Sequence, residues 1–170
     1  LSIDTRTLEK GDLFIALKGD RDGHDFIAKA TEAGAAGALA EKQVDDANTV
    51  IVADTQKALE ALGAAGRERS NALRIAVTGS VGKTSIKEAL ATIFSQFGET
   101  HKSQKSFNNH LGAPITLATL PADAKFGIFE LGMNHAGEIS ALSKQVKPEI
   151  ALISNVVSVH LAHFDSEKDI

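Results

Sequence analysis

The sequence predicts an α/β protein in two parts: a small N-terminal α/β domain over residues 1–70, then a doubly wound, mostly parallel sheet over 73–170. Three observations lead there. Short apolar runs alternate with helical patterns along the chain, the signature of strand–helix–strand units. LRIAVTG, KFGIFEL and EIALIS are nearly unbroken apolar runs, as in strands covered on both faces. The polar stretch ERSNA at 68–72 separates the two parts.

In the first part, residues 1–3 and 13–17 read as short strands joined by a polar turn at 9–12. Asp22-Gly23 is a strong turn pair. Residues 26–33 read as a helix stopped by Gly34, and 36–40 and 49–53 as short buried strands. Residues 55–69 carry Ala58, Leu59, Leu62 and Ala65 at helical spacing. In the second part, LRIAVTG is a strand and 84–97 a helix with Ile86, Leu90, Ile93 and Phe97 along one stripe. A helical run starts near Ala113, residues 125–131 form a strand, 137–146 a helix and 149–154 a strand.

A chain of 170 residues fits one large domain or two small ones, and 43% apolar residues suffice for a core. The net charge, 18 − 22 = −4, comes without a long basic block, which disfavours nucleic acid and anionic membranes as partners. The absence of cysteine excludes disulfides and thiolate metal sites and fits a reducing cytoplasm. No apolar run approaches the roughly 20 residues that span a bilayer, and no signal peptide is visible. The chain opens with Leu inside a strand-like run, so it is expected to be a piece of a longer one.

The strongest local signal is VTGSVGKT at 77–84, between an apolar strand and a helix. The usual phosphate-binding pattern, G-x-x-x-x-G-K-[ST], would need glycine where Val77 stands. In this shorter loop Gly79 and Gly82 let the backbone close round phosphate oxygens. The helix start presents N–H groups to an anion. Lys83 is placed to reach the β- and γ-phosphates, and the Thr84 hydroxyl to ligate Mg²⁺. The bland alternative is a glycine turn with a surface lysine.

Glu130 ends a predicted buried strand, where ligands of open α/β sheets collect. Buried, it needs a cation or donors; otherwise it is a strand-end Glu on an exposed loop. His160 suits a metal ligand, but a lone His among Val and Leu also suits the core. His160 and His163 lack the other features of a zinc site. Asn108 and Asn109 precede a helix, so one caps it and the other is free to face a ligand. Asp22-Gly23-His24 binds a ligand or simply turns.

Four stretches in this order, TGSVGKTS, FNNHLGAPITLA, ELGMNHAGEI and SNVVSVHL, resemble the Mur ligases of peptidoglycan synthesis. Ahead of them SIDTRTLEKGDLFIALKGDRDGHDFI resembles the N-terminal domain of the members that add the third and later stem-peptide residues. The resemblance covers nearly the whole chain, and the short T-G-x-x-G-K-[ST] loop is a trait of that family. It implies a cytoplasmic, monomeric, ATP- and Mg²⁺-dependent ligase. ELGMNHAGEI points to the member that joins D-alanyl-D-alanine to UDP-N-acetylmuramoyl-tripeptide through an acyl phosphate. The neighbouring ligase that adds the third residue is the alternative.

By the same resemblance, Thr78, Gly79, Ser80, Val81, Gly82, Lys83, Thr84, Ser85, Asn108 and Asn109 hold the nucleotide. Lys83, Glu130 and His160 are catalytic. Thr84 ligates one Mg²⁺, and Glu130 and His160 a second. Asp4, Thr5, Arg6, Lys18, Gly19, Asp22 and His24 hold the UDP end of the substrate. Two departures stand out: Val157 replaces a glycine of the family pattern and Ala162 an acidic residue. The family's carbamylated lysine and its C-terminal domain are expected beyond Ile170, so the 170-residue chain alone is expected to form no amide bond. Rival readings are a non-catalytic nucleotide-binding fragment and a small P-loop kinase or GTPase. The latter pair has no use for the N-terminal motifs, and the sequence has no N-K-x-D guanine signature.

Overall fold

The computed structural model describes residues 1–45, 47–105 and 107–157. The chain divides into two compact units, Leu1–Ala61 and Leu62–Ile170. The division falls inside a helix rather than at the polar 68–72 stretch. Helical propensity runs through the boundary, and the helix's second half packs within the later unit.

The first unit is a three-stranded parallel sheet, β1 (Leu13–Ile15), β2 (Gly37–Ala40) and β3 (Thr49–Ile51), in that order. A 3-10 turn at Gly23–Phe26 leads into α1 (Ile27–Glu32), and Gly34, at φ +97°, supplies the left-handed residue that stops it. Phe14, Ala16, Ile27, Ala30, Ala38 and Ala40 form the core. Residues 1–3 are not a full strand: only Ser2 bridges, in parallel, to Phe14. Nor is β3 buried as expected. It pairs only with β2 at the sheet edge, which leaves Val50 and Ile51 exposed.

The helix that crosses the boundary, α2 (Thr55–Arg69), spans the residues its periodicity predicts. The second unit continues with β4 (Leu73–Thr78), α3 (Lys83–Phe94), β5 (Thr100–Lys102), α4 (Gly112–Ala118), β6 (Phe126–Glu130), α5 (Glu138–Val146) and β7 (Ile150–Ile153). The sheet order is β5-β6-β4-β7, every pairing parallel. Strand alternation sends side chains to two cores. Ala76 and Phe129 pack with Ala113, Leu117, Leu142 and Val146 of α4 and α5. Val77 and Ile128 pack with Ile86, Leu90, Ala91 and Phe94 of α3. Helices therefore cover both faces, as the doubly wound reading requires.

The apolar stripe of α3 that packs on the sheet steps 86–90–94 and is partly buried, and Ile93 and Phe97, expected in it, are exposed. After β4 the chain crosses toward β5 over one face; after β6 it crosses toward β7 over the other. The crevice between the carboxyl ends of β4 and β6 is thus a switch point of the topology, the usual place for a ligand in such sheets.

Gly66 shows how closely the second half of α2 approaches α4. A Cβ there would lie 2.1 Å from the Leu117 carbonyl oxygen and 2.9 Å from Ala118 Cα. Alanine gains about 1 kcal/mol of helix propensity over glycine, but overpacking against backbone costs about 1–3 kcal/mol. Gly66→Ala is therefore expected to lower the melting temperature by a few degrees, read by thermal denaturation. An unchanged or raised melt would show that α4 gives way.

Candidate active site

The phosphate-type loop leaves β4 at Thr78 and enters α3 at Lys83, as its position between strand and helix predicts. Two positive-φ glycines shape it, Gly79 at +126° and Gly82 at +84°, the latter as the helix N-cap. Gly79 also faces a close neighbour: a Cβ there would stand 2.2 Å from Ser154 Oγ and 2.8 Å from the Asn155 carbonyl oxygen. The segment after β7 lies along the loop. Ser80 N–H donates to Asn155 O at 2.9 Å, and Val81 N–H to Asn155 Oδ1 at 3.1 Å. Ser154 Oγ donates to Val81 O at 2.7 Å, and Val157 N–H to Ser80 Oγ at 3.0 Å.

With Ser80 and Val81 N–H engaged in this way, the first turn of α3, at Lys83, Thr84 and Ser85, offers its N–H donors to an anion. These N–H groups have no partner within the helix. Lys83 Nζ donates to Gly79 O at 2.6 Å and Ser80 O at 3.1 Å, folded back over its own loop. Neutral carbonyls hold an ammonium less strongly than a phosphate does, so the side chain is stored beside the place where an anion would bind. Lys83 also lines a cleft of about 310 Å³ with Asn108, Asn109, His110, Met133, Asn134, His135 and Glu138.

Glu130 is the last residue of β6, in register with Val77, and is 1% exposed. The exposed-loop alternative for it therefore falls away. Its Oε2 accepts from Thr84 Oγ1 at 2.9 Å and its Oε1 from Asn108 Nδ2 at 2.9 Å. Its own N–H donates to Ser103 Oγ at 3.1 Å. The structure so brings together Thr84, Asn108 and Glu130 at the switch point, with Lys83 at the edge of the same crevice.

The paired asparagines divide as the residue pattern allowed. Asn109 Oδ1 caps the start of α4, accepting from Leu111 N–H at 3.1 Å and Gly112 N–H at 2.9 Å. Asn108 turns to Glu130. At the far side of the cleft, Glu138 Oε2 accepts from Asn134 N–H at 2.6 Å and His135 N–H at 3.2 Å, and these bonds hold its carboxyl below the usual range.

The donor set at Thr84 and Glu130 fits a divalent cation. The Thr84 hydroxyl gives its one hydrogen to Glu130, which leaves its oxygen lone pairs for a metal. The carboxylate keeps lone pairs beyond the donors it accepts, and oxygen ligands are what Mg²⁺ takes. Among the described residues no three His, Cys, Asp or Glu side chains are grouped as a metal site. His160, the other expected ligand, and His163 and Ala162 lie outside the described residues.

In the first unit the residues expected at the substrate's UDP end sit at the carboxyl ends of the parallel strands. Asp4 and Arg6 pair, with Arg6 Nη2 2.6 Å from Asp4 Oδ2, and Thr5 stands between them. Lys18, beside Gly19, pairs with Glu41, whose carboxyl it holds below the usual range together with Thr55 N–H. His24 is buried. Its Nδ1 lies 2.6 Å from Asp22 Oδ1, and its Nε2 accepts from Glu41 N–H at 2.8 Å. The Nδ1–H tautomer satisfies both bonds, so the imidazole braces the loop between β1 and the 3-10 turn. The bonds from His24 N–H and ring hold Asp22 below the usual range.

Two residues at the site were not singled out in the sequence. Lys87 is fully buried beside Glu130; its one visible signal is a lysine in the 86–90–94 face of α3. Asn155 grips the loop across a separation of 74 residues and had no local signal.

Family comparison decides what this arrangement belongs to. The Mur ligase middle domain matches residues 77–170, and the catalytic domain of the Mur ligase family matches 1–97. The chain belongs to the Mur ligase family. Among relatives of this Mur ligase chain, the UDP-N-acetylmuramoyl-tripeptide–D-alanyl-D-alanine ligase of Rickettsia prowazekii is 44% identical over 173 residues, covering 100% of the chain and 38% of that protein. The Escherichia coli ligase of the same name is 42% identical over 168 residues, covering 98% and 37%. The crystal structure of MurF from Acinetobacter baumannii superposes with a TM-score of 0.87 at 40% identity, covering 99% of the chain and 38% of that structure. MurF ligase from Thermotoga maritima, solved in complex with ADP, gives 0.81 at 29% identity, covering 99% and 40%. The chain thus spans less than half the length of these relatives.

Proposed function

We propose that this chain is the substrate-binding and nucleotide-binding part of a ligase that joins D-alanyl-D-alanine to UDP-N-acetylmuramoyl-tripeptide, driven by ATP. The observation that carries this reading is the switch-point crevice, where a short phosphate loop, Thr84 and a buried Glu130 meet. The relatives' shared name supports the choice of substrates. Such a ligase works on cytoplasmic precursors of the cell wall as a monomer, with no nucleic acid or membrane partner. Among the described residues no helix is long and apolar enough to cross a membrane.

The chain's residues take these roles. The α3 N-terminus and loop 79–84 bind the nucleotide phosphates, with Asn108 and Asn109 at the γ end. Lys83 leaves the loop carbonyls for the phosphate oxygens and offsets the charge that moves during transfer. Thr84 would hold one Mg²⁺, and Glu130 with His160 a second. Bound there, the two cations would offset repulsion between an anionic carboxylate and an anionic phosphate. The tripeptide carboxylate oxygen attacks the γ-phosphorus and ADP leaves. The D-alanyl-D-alanine amine then attacks the acyl phosphate carbonyl, an amide forms and phosphate departs. Asp4, Thr5, Arg6, Lys18, Gly19, Asp22 and His24 form or brace the region for the substrate's UDP end.

The test is acceptor choice. The protein in its full natural length, with ATP and Mg²⁺, is given UDP-muramoyl-tripeptide plus D-alanyl-D-alanine, or UDP-muramoyl-dipeptide plus the amino acids used at the third position. Mass spectrometry should find the pentapeptide only in the first mixture. Tripeptide formed only in the second assigns the chain to the neighbouring ligase.

A further inference from the structure

Lys87 is 0% exposed and Glu130 1%. Burying one charge is costly unless a second offsets it, and around Lys87 the buried charge is Glu130, with Nζ 3.6 Å from Oε2. Nζ also donates to Lys105 O at 2.5 Å and lies 3.3 Å from Glu88 Oε1. Glu88 is 46% exposed and paired with Lys102 as well, so it has water and another cation to serve it. Glu130, with donors from Thr84 and Asn108, has Lys87 as its nearby full positive charge among the described residues. On α3, Lys87 stands three residues after Thr84 and four after Lys83, one turn behind the phosphate loop.

We propose that Lys87 is the resident counter-ion of Glu130, and that its charge sets how much divalent cation the site needs. With no cation bound, the ammonium offsets the buried carboxylate and keeps it facing Thr84 and Asn108. A dication reaching the same carboxylate meets the ammonium as a like charge at short range, which weakens its binding. When the cation takes over Glu130, the ammonium retains the Lys105 carbonyl and Glu88. Lys87 is a positioning residue: it acts through Glu130 and touches no reacting atom. The counter-ion pairing stands on geometry alone. The effect on the cation rests on the proposed reading of Thr84 and Glu130 as ligands.

The test is a double-mutant cycle of Lys87→Met, Glu130→Gln and both together, followed by thermal melting in EDTA and in a Mg²⁺ titration with ADP present. Each single substitution strands a buried charge and is expected to lower the melt in EDTA by roughly 10 °C. The double variant removes both charges and is expected to recover most of that loss. In Lys87→Met, Mg²⁺ should act with a several-fold lower midpoint than in wild type. Lys87→Arg keeps the charge and should keep the wild-type midpoint, a readout that survives if the methionine variant does not fold. Losses that simply add in the double variant overturn the counter-ion pairing. Coupled losses with one Mg²⁺ midpoint for all variants that retain Glu130 overturn the effect on the cation. Coupled losses with no Mg²⁺ response even in wild type overturn instead the reading of Glu130 as a ligand, and with it the effect of Lys87.

Discussion

Lys83→Ala is expected to cut phosphate release by about a hundred- to a thousand-fold while leaving the fold intact. Removing one charge-stabilising donor from a preorganised site costs about 3–4 kcal/mol of transition-state stabilisation. The fold should survive because the ammonium's partners, Gly79 O and Ser80 O, belong to a loop that water can serve in its place. The measurement is phosphate release with the tripeptide substrate and D-alanyl-D-alanine, alongside a thermal melt. Near-normal turnover in a folded variant would remove Lys83 from the chemistry.

Gly79→Ala is expected to damage nucleotide binding far more than Gly82→Ala, although both glycines have positive φ. At Gly82 nothing lies within 4 Å of an added Cβ, so alanine meets only the conformational penalty of about 1–2 kcal/mol. At Gly79, whose φ of +126° is also one that side chains rarely adopt, backbone strain joins a clash with Ser154 Oγ and the Asn155 backbone. Relief of that clash must push loop and segment apart, which breaks the bonds from Ser80 and Val81 to Asn155. Binding of a fluorescent ADP analogue should fall at least tenfold more for Gly79→Ala than for Gly82→Ala. Equal losses would mean that the loop does not depend on the segment after β7.

Much of this was legible in the sequence because its causes are local. The loop announces itself through an apolar strand, two glycines and a helix start within a dozen residues. The periodicity of 55–69 predicts α2 to the residue. The misses have non-local causes. Thr49–Ile51 looks buried by composition, but burial depends on neighbours, and β3 has one. THK at 100–102 has no apolar run, yet becomes β5 because β6 offers it an edge. Ile93 and Phe94 compete for one face of α3, and a three-residue step chose Ile93 where a four-residue step places Phe94. At the site, Thr84 and Glu130 were legible as types at element ends. Their hydrogen bond, the Asn155 grip and the burial of Lys87 join residues far apart in the chain, and no window of sequence contains both partners.

The central claim is that the crevice at β4 and β6 drives transfer of a phosphoryl group from ATP to a carboxylate that is then captured by an amine. Its most direct test uses UDP-muramoyl-tripeptide with heavy oxygen in the terminal carboxylate. The full-length protein is incubated with this substrate, ATP, Mg²⁺ and D-alanyl-D-alanine, and the released phosphate is analysed by mass spectrometry. Transfer through an acyl phosphate predicts one heavy oxygen in each phosphate and one retained in the new amide. Phosphate without label would show that water, not the carboxylate, receives the phosphoryl group, and would contradict the account.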